Sequence, residues 1–352
     1  MDDTDAENKT NGDGDGDAEV AVVGAGPSGL SAAYALGPDG TDVSIYEKSG
    51  VLLGRGATRE KDGCVYDYGA NYIKAEDEGV NALLRETTDA DGIVEVEGGV
   101  WTFDADGNVS EGYDEEVSKL THTDGVSAFG EGVLEASDAE LLRRTRVESV
   151  IPKEADEGVV VETEKDSHEH EAVVVTPPAP QTAALLEGSM PSVADAVAGV
   201  GYTTVLSVVL RYPFELEAPW YGLVNTDKEH DVGWLSREER KPGHVPDGSL
   251  LVVQASPGWS ERHYDDGSAE FADALAEKAA ELIDEPRLRS YDWYDHQRWR
   301  YSLPLDGVDD SVVESAADDN VYLAGDWTVG EGRLHAAFRS GLDVGERVAD
   351  EL

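Results

Sequence analysis

The chain has 352 residues, 75 acidic against 27 basic, for a formal net charge of −48, and a single cysteine. That length suffices for two domains with real cores, one cysteine excludes an intramolecular disulfide framework, and a field this negative repels nucleic acid. No apolar run reaches the roughly 18 residues of a membrane span and no basic-then-apolar opening marks a secretory signal, so a cytoplasmic setting is expected.

Residues 1–18 are polar, acidic and glycine-rich, and read as a solvated tail that cannot bury enough apolar surface to order itself. Asp13, Asp15 and Asp17 alternate with glycines as in a calcium loop. The sixth position is Ala18 and the twelfth Gly24, so no metal is expected there. A short apolar run at 20–23 then meets Gly24-Ala25-Gly26-Pro27-Ser28-Gly29. A helical run at 30–36 follows, closed by Gly37-Pro38, and a second apolar run at 43–46 ends in Glu47. Strand, glycine turn, helix, strand and terminal acid together predict a dinucleotide-binding βαβ unit; a plain glycine-rich turn is the bland alternative. Gly24 allows the sharp turn, Gly26 lets a pyrophosphate approach the backbone, and Gly29 lets helix and strand pack closely. The helix start at Pro27 and Ser28 turns free N–H groups and partial positive charge toward the phosphates. Glu47, 23 residues beyond Gly24, is placed to accept hydrogen bonds from both ribose hydroxyls and to repel a 2′-phosphate.

Lys48 follows, then Gly54-Arg55-Gly56-Ala57-Thr58, then Tyr66-Asp67-Tyr68-Gly69-Ala70-Asn71-Tyr72. With the glycine turn and the acid, these G-R-x-x-T and aromatic-Asp-x-Gly-Ala runs resemble the flavin amine oxidase superfamily. The resemblance implies that the dinucleotide is FAD, bound non-covalently, with Lys48 in the cofactor stretch. It also implies that Arg55 pairs with the pyrophosphate, for which a guanidinium fork is suited, and that Thr58 lies near it. Leu53 is a departure: the family has the first glycine of a pair there.

A short helix near 80–85, a strand at 100–103 and a turn at Asp106-Gly107 read as an excursion into a second domain. Residues 126–136 read as helix, and 146–151, 158–161 and 172–175 as strands. The resemblance sets the backbone of Val147 against the adenine. His168 and His170, two apart with no cysteine near, read as a solvated hairpin tip rather than a metal site. Residues 202–212 alternate cleanly. Leu206, Val208, Leu210 and Tyr212 face one way and Val205, Ser207, Val209 and Arg211 the other, which predicts a half-buried strand of a separate sheet. Residues 250–254 predict another. Ser268 reads as the cap of a helix running to about 284, with Phe271, Leu275, Ala279 and Leu282 on one face.

Two later stretches carry the expected chemistry. Residues 291–304 are dense in aromatic and basic side chains, out of keeping with an acidic chain. Trp293, Arg298, Trp299 and Arg300 are candidates for a cofactor or substrate role; the bland reading is a core strand with cation–π pairs. The W-R-Y-S-x-P run beginning at Trp299 resembles renalases, a subgroup of the superfamily. A strand at 321–324 then ends in Gly325-Asp326-Trp327, and a helix runs from beyond Gly332 to the C-terminus. The resemblance implies that Asp326 binds the ribityl chain. It implies too that the helix start, with Arg333 and Leu334, faces the flavin pyrimidine, where a positive helix end stabilises negative charge. Glu331 between the glycines, and His335 and Ala336 in place of an acid and a glycine, depart from the renalase pattern. Lys74 and His335 lie near family landmarks, but neither is singled out as a general base.

The expected fold is α/β. A Rossmann-type FAD domain (19–75, 119–187 and 315–352) carries an inserted antiparallel-sheet substrate domain (76–118 and 188–314). No second G-x-G-x-x-G follows a strand, so no separate NAD(P)H domain is expected. The implied function is an FAD-dependent oxidase of a small molecule, with hydride transfer to the flavin and O2 as acceptor, giving H2O2. Renalase-like oxidation of dihydro-NAD(P) isomers is the first reading. The ring stacks against Trp293, Trp299 or Trp327, and Arg298 or Arg300 helps hold phosphates. A superfamily amine oxidase and a non-catalytic electron-transfer flavoprotein are the alternatives; the oligomeric state stays open. The acid is spread along the whole chain, as at Glu270, Asp273, Glu277 and Glu281. That pattern suits a salt-adapted (halophilic) protein in molar salt, where the Debye length falls to about 3 Å.

Overall fold

The computed structural model describes residues 19–37, 40–112, 117–153 and 157–352. The tail expected at 1–18, with its calcium-like aspartates, and Pro38 lie outside these residues.

The first region is built on a five-stranded parallel sheet, ordered Glu140–Arg143, Asp42–Glu47, Glu19–Val23, Ala172–Val175, Val321–Leu323. Its central strands are short Val/Ala runs because both faces are covered, which removes any need for alternation. One face carries helices Pro27–Leu36 and Leu334–Glu351. The other carries the antiparallel layer Val147–Pro152, Val159–Thr163 and Ser167–His170, with helices Ala179–Leu186 and Pro191–Ala198. The two helices of the first face touch through small residues. A Cβ on Gly341 would sit 2.1 Å from the Ser28 carbonyl oxygen, and one on Gly345 2.6 Å from that of Ala32. The hydroxyls of Ser28 and Ser31 donate across the seam to the carbonyls of Ala337 and Phe338, each at 2.8 Å.

The second region is a seven-stranded sheet, ordered Trp293–Pro304, Tyr202–Tyr212, Ser249–Ala255, Val232–Arg237, Trp220–Asn225, Gly99–Phe103, Val109–Ser110. It is antiparallel except where Gly99–Phe103 runs parallel to Trp220–Asn225. One face packs Leu206, Val208, Leu210, Leu251 and Val253 under helix Ser268–Leu282. The other packs Val209, Leu250 and Val252 against Ala57, Cys64, Tyr66 and Tyr68 of the first region.

Four expectations are corrected. The strand Tyr202–Tyr212 is buried on both faces over residues 205–210 rather than half-buried, because its second face meets the first region instead of water. Helix Glu78–Thr87 was assigned to the inserted domain; it packs Val80, Leu83 and Leu84 into the parallel-sheet core. Helix Pro191–Ala198 likewise belongs with the parallel sheet. An amphipathic stripe shows that a helix buries one face, not which core it meets. His170 is buried rather than solvated, its Nε2 3.0 Å from the Tyr46 hydroxyl, while His168 stays exposed. Burial pushes the His170 pKa down to about 4. No helix among the described residues is long and apolar enough to cross a membrane.

Candidate FAD site and the domain junction

Three strand ends meet at the C-terminal edge of the parallel sheet, where open α/β sheets bind their ligands. After Glu19–Val23 the chain turns at Gly24 with φ +99°, and its N–H donates to the Tyr46 carbonyl at 2.9 Å. A Cβ on Gly29 would lie 1.9 Å from the Gly24 oxygen, so helix and turn meet there without a side chain. Gly26 faces open space: nothing lies within 4 Å of where its Cβ would be. After Asp42–Glu47, Glu47 is held at the same edge, its oxygens accepting the N–H groups of Ala25 (2.9 Å) and Ser49 (2.6 Å). After Val321–Leu323, Gly325 at φ +153° leads into the buried Asp326.

Asp326 is gripped by Arg55 through both guanidinium nitrogens, at 2.8 and 2.7 Å, and Arg55 also donates to the Ser302 carbonyl at 3.0 Å. Arg55 sits in the short turn Gly54–Gly56. The departure at Leu53 has a local account. Leu53 takes the left-handed φ of 64° that glycine adopts most readily. Its side chain fills the space beside Gly56 and Gly130, and its N–H donates to the Ala25 carbonyl at 2.8 Å.

Both helices that begin at this edge lack a side-chain cap, at Gly26 and at Arg333. Their first N–H groups are left for an acceptor, the usual arrangement of an anion site at a helix start. Two such helix starts, the open glycine at 26, the carboxylate at Glu47 and the half-buried Arg55–Asp326 pair fit an FAD with its phosphates, ribose and flavin end spread along one sheet edge.

The remaining candidates separate by location. Lys48 donates to Gln181 at 2.7 Å, and burial lowers its pKa. Val147 begins its strand at a bulge and its side chain is buried. Leu334 packs over Gly56, while Arg333 is exposed. The Thr58 hydroxyl is committed to protein partners: it donates to Asp67 at 2.6 Å and accepts the Ser127 N–H at 3.0 Å. The Ser28 hydroxyl is committed to the Ala337 carbonyl.

Alternation along Trp293–Pro304 divides the aromatic and basic candidates. Trp293 and Trp299 lie opposite Arg211 and Val205, on the face turned to the first region. Trp299 stacks on Tyr68 with centroids 5.5 Å apart and planes at 12°, and the Arg59 guanidinium lies 3.9 Å over the same tyrosine ring. Trp293 packs near Tyr66, with Lys61 4.4 Å from its ring centre. Arg298 and Arg300 are corrected: they face the helix side. Arg298 donates to the Tyr264 and Asp266 carbonyls and lies over Phe271, and Arg300 lies over Tyr264. Trp327 is corrected too, since it is fully buried in the core beneath the parallel sheet, its indole N–H without a partner. His335 is nearly buried, with Nε2 3.6 Å from Glu76 and 3.4 Å from Glu331, on the wall of a cavity of about 340 Å³ that also meets Asp77, Arg339 and Asp343.

A family model described as flavin containing amine oxidoreductase matches residues 94–349, and one described as an NAD(P)-binding Rossmann-like domain matches residues 22–87. The chain belongs to the flavin containing amine oxidoreductase family. FAD is therefore its cofactor, and the sheet edge described above is where these residues fit it. Protoporphyrinogen oxidase 2 of Arabidopsis thaliana is 42% identical over 67 residues, which is 19% of this chain and 13% of that protein's length. The mitochondrial enzyme of Nicotiana tabacum is 40% identical over 65 residues, covering 18% and 13%. Among solved structures, a candidate protoporphyrinogen oxidase from Exiguobacterium sp. 255-15 superposes with TM-score 0.81 at 14% identity, covering 96% of this chain and all of that one. Cyclohexylamine oxidase from Brevibacterium oxydans IH-35A gives 0.75 at 17%, covering 96% and 99%. These likenesses show the fold.

Sequence reasoning missed the side chains that lock the two regions together. Ser207 and Trp299 Nε1 donate to the Tyr68 carbonyl at 2.8 and 3.3 Å, and Gln254 to that of Gly69 at 2.7 Å. No spacing in the chain announces contacts between residues this far apart.

Proposed function

We propose that the protein is an FAD-dependent oxidase of a planar small molecule, with renalase-like oxidation of dihydro-NAD(P) isomers as the first reading. The observation that carries it is the parallel stack of Trp299 on Tyr68, on a strand whose Ser302 carbonyl touches Arg55 of the cofactor edge. A flat aromatic wall favours a flat ring over a flexible chain. Lys61, on that same face, offers positive charge of the kind first expected of Arg298 and Arg300, while Arg59 there is paired with Asp295 at 2.9 Å. A bound FAD would supply the hydride acceptor, with O2 as the final oxidant and a solvent proton completing H2O2. The chain contributes holding and orientation: helix starts and Arg55 for the phosphates, Glu47 for the ribose, Asp326 for the ribityl chain, Trp299 for the substrate ring. A dihydropyridine needs no strong base, because aromatisation drives hydride loss.

An amine oxidase is the second reading. It is favoured by the cavity around His335, where Glu76 and Glu331 could attract a cationic amine while Asp77 and Asp343 are paired with Arg339, and by the fold shared with cyclohexylamine oxidase. Anaerobic absorbance of the protein in molar salt separates the two. Dihydronicotinamide isomers should bleach the visible flavin band, and air should restore it with H2O2 release. Bleaching by amines alone replaces the first reading with the second; a flavin that no donor bleaches leaves an electron-transfer role. The salt-adapted reading is tested alongside: the melting temperature should fall as ionic strength falls, and indifference to salt refutes it.

A further inference from the structure

Outside the cofactor edge, Asp67, Glu238, Lys241 and His244 form one cluster that is buried essentially completely. The Lys241 ammonium bridges Asp67 Oδ2 at 2.8 Å and Glu238 Oε2 at 3.0 Å. Asp67 Oδ1 accepts the Thr58 hydroxyl (2.6 Å) and the Val126 N–H (3.1 Å). Glu238 Oε2 also accepts the Asp67 N–H at 3.1 Å and faces His244 Nδ1 at 3.2 Å. The other His244 nitrogen lies 3.0 Å from the His122 carbonyl oxygen. Burial works against the charge on Glu238, but Lys241 and His244 outweigh it and keep its pKa below the ordinary value. Burial likewise works against Lys241, and Asp67 and Glu238 outweigh that in turn, raising its pKa. Asp67 belongs to the first region and the other three to the turn after Val232–Arg237 in the second. Three of these residues hold side-chain oxygen or nitrogen atoms close enough to ligate a cation; the ammonium of Lys241 already lies between the two carboxylates.

The segment that leaves Asp67 explains what such a network controls. Its next carbonyls, of Tyr68 and Gly69, are held by Ser207, Trp299 and Gln254. The Ala70 N–H donates to the Arg55 carbonyl at 3.0 Å. A Cβ on Gly69 would lie 2.0 Å from that same oxygen and 3.0 Å from the Trp299 ring. Residues 67–70 are thus the spacer between the arginine of the cofactor edge and the tryptophan of the substrate wall.

We propose that Lys241 is a positioning residue: by holding Asp67 to Glu238 across the junction, it sets the 67–70 segment and through it the placement of Arg55 and Trp299. This rests on the reading of Arg55 as a cofactor-holding residue. A hydrophobic replacement removes a buried ion-pair partner, leaving Asp67 without its cation and Glu238 with His244 alone, a change that reaches well beyond a surface charge. The test compares Lys241→Met, Lys241→Arg and a core control, Leu251→Ala, in molar salt, by FAD titration and melting temperature. Lys241→Met should weaken FAD binding at least tenfold, Lys241→Arg should recover part of it, and Leu251→Ala should lower the melting temperature with FAD affinity intact. The effects of Lys241→Met and Arg55→Lys should be non-additive if one acts through the other. Where Lys241→Met does not fold, Gln254→Ala, which frees the Gly69 carbonyl, serves as the milder probe and should also couple to Arg55→Lys. FAD affinity unchanged within twofold in a folded variant, or strict additivity, overturns the proposal. Failure of the unaltered protein to bind FAD overturns the site reading instead.

Discussion

The cofactor edge and the domain junction are assembled by opposite means. At the edge, the fit rests largely on backbone: bare helix starts, a left-handed turn at Gly24, and a Gly29 whose Cβ would stand only 1.9 Å from the Gly24 oxygen. At the junction it rests on side chains reaching from distant segments, such as Lys241 to Asp67 and Ser207 to Tyr68. A backbone site lives in one stretch of chain and tolerates little change within it. A side-chain site is shared among stretches, so its parts differ in how much each one matters.

The sharpest test of that contrast lies among neighbouring glycines. Gly29→Ala drives a Cβ into the Gly24 carbonyl, a backbone clash worth on the order of 3 kcal/mol. The protein should purify without flavin and melt many degrees lower. Gly26→Ala meets open space and should melt within a few degrees of the parent, since replacing glycine by alanine at a helix cap costs about 1 kcal/mol or less. FAD affinity should still drop at least tenfold if the cofactor approaches this backbone. Equal melting temperatures for the two variants would erase the distinction between a packing glycine and a binding one.

Next in size is Asp326→Asn, which turns a half-buried two-point ion pair into a neutral contact and leaves Arg55 poorly matched. A loss of about 2 kcal/mol, roughly thirtyfold in FAD dissociation constant, is expected from the strength of such pairs. Smaller still, Trp299→Ala should raise KM about tenfold, near 1.4 kcal/mol of lost ring stacking. Arg298→Ala, on the opposite face, should lower the melting temperature and leave KM alone. An Arg298 effect on KM with none from Trp299 would reverse the assignment of faces.

A last test concerns pH. His170 is neutral when folded, with its pKa lowered to about 4 from the ordinary 6.5. A lowered folded-state pKa means that the unfolded chain takes the proton first, so this contribution is complete above 6.5 and is lost as pH falls toward 4. His170→Gln should therefore flatten the decline of melting temperature between pH 6.5 and 4, measured against the parent at each pH. A decline equally steep in both proteins removes His170 from the account.

The elements that were legible in the chain are those whose signal is local. The βαβ unit, the Glu47 position, the alternation of Leu206 against Ser207 and the Gly325-Asp326 strand end are all set within about thirty residues, by turn sterics and by the periods of strand and helix. The dense aromatic stretch was legible as a strand, yet which side met the cofactor region was not. Alternation assigns Trp299 and Arg298 to opposite faces without naming either face. Lys241 was hidden for a similar reason, because within Glu-Glu-Arg-Lys it reads as one more solvated charge on an acidic protein. Only the folded chain brings Asp67 and Glu238 to it from 174 and 3 residues away. Local sterics are written into neighbouring residues and so belong to the sequence. The desolvation and pairing of a buried charge depend on what the tertiary structure sets beside it.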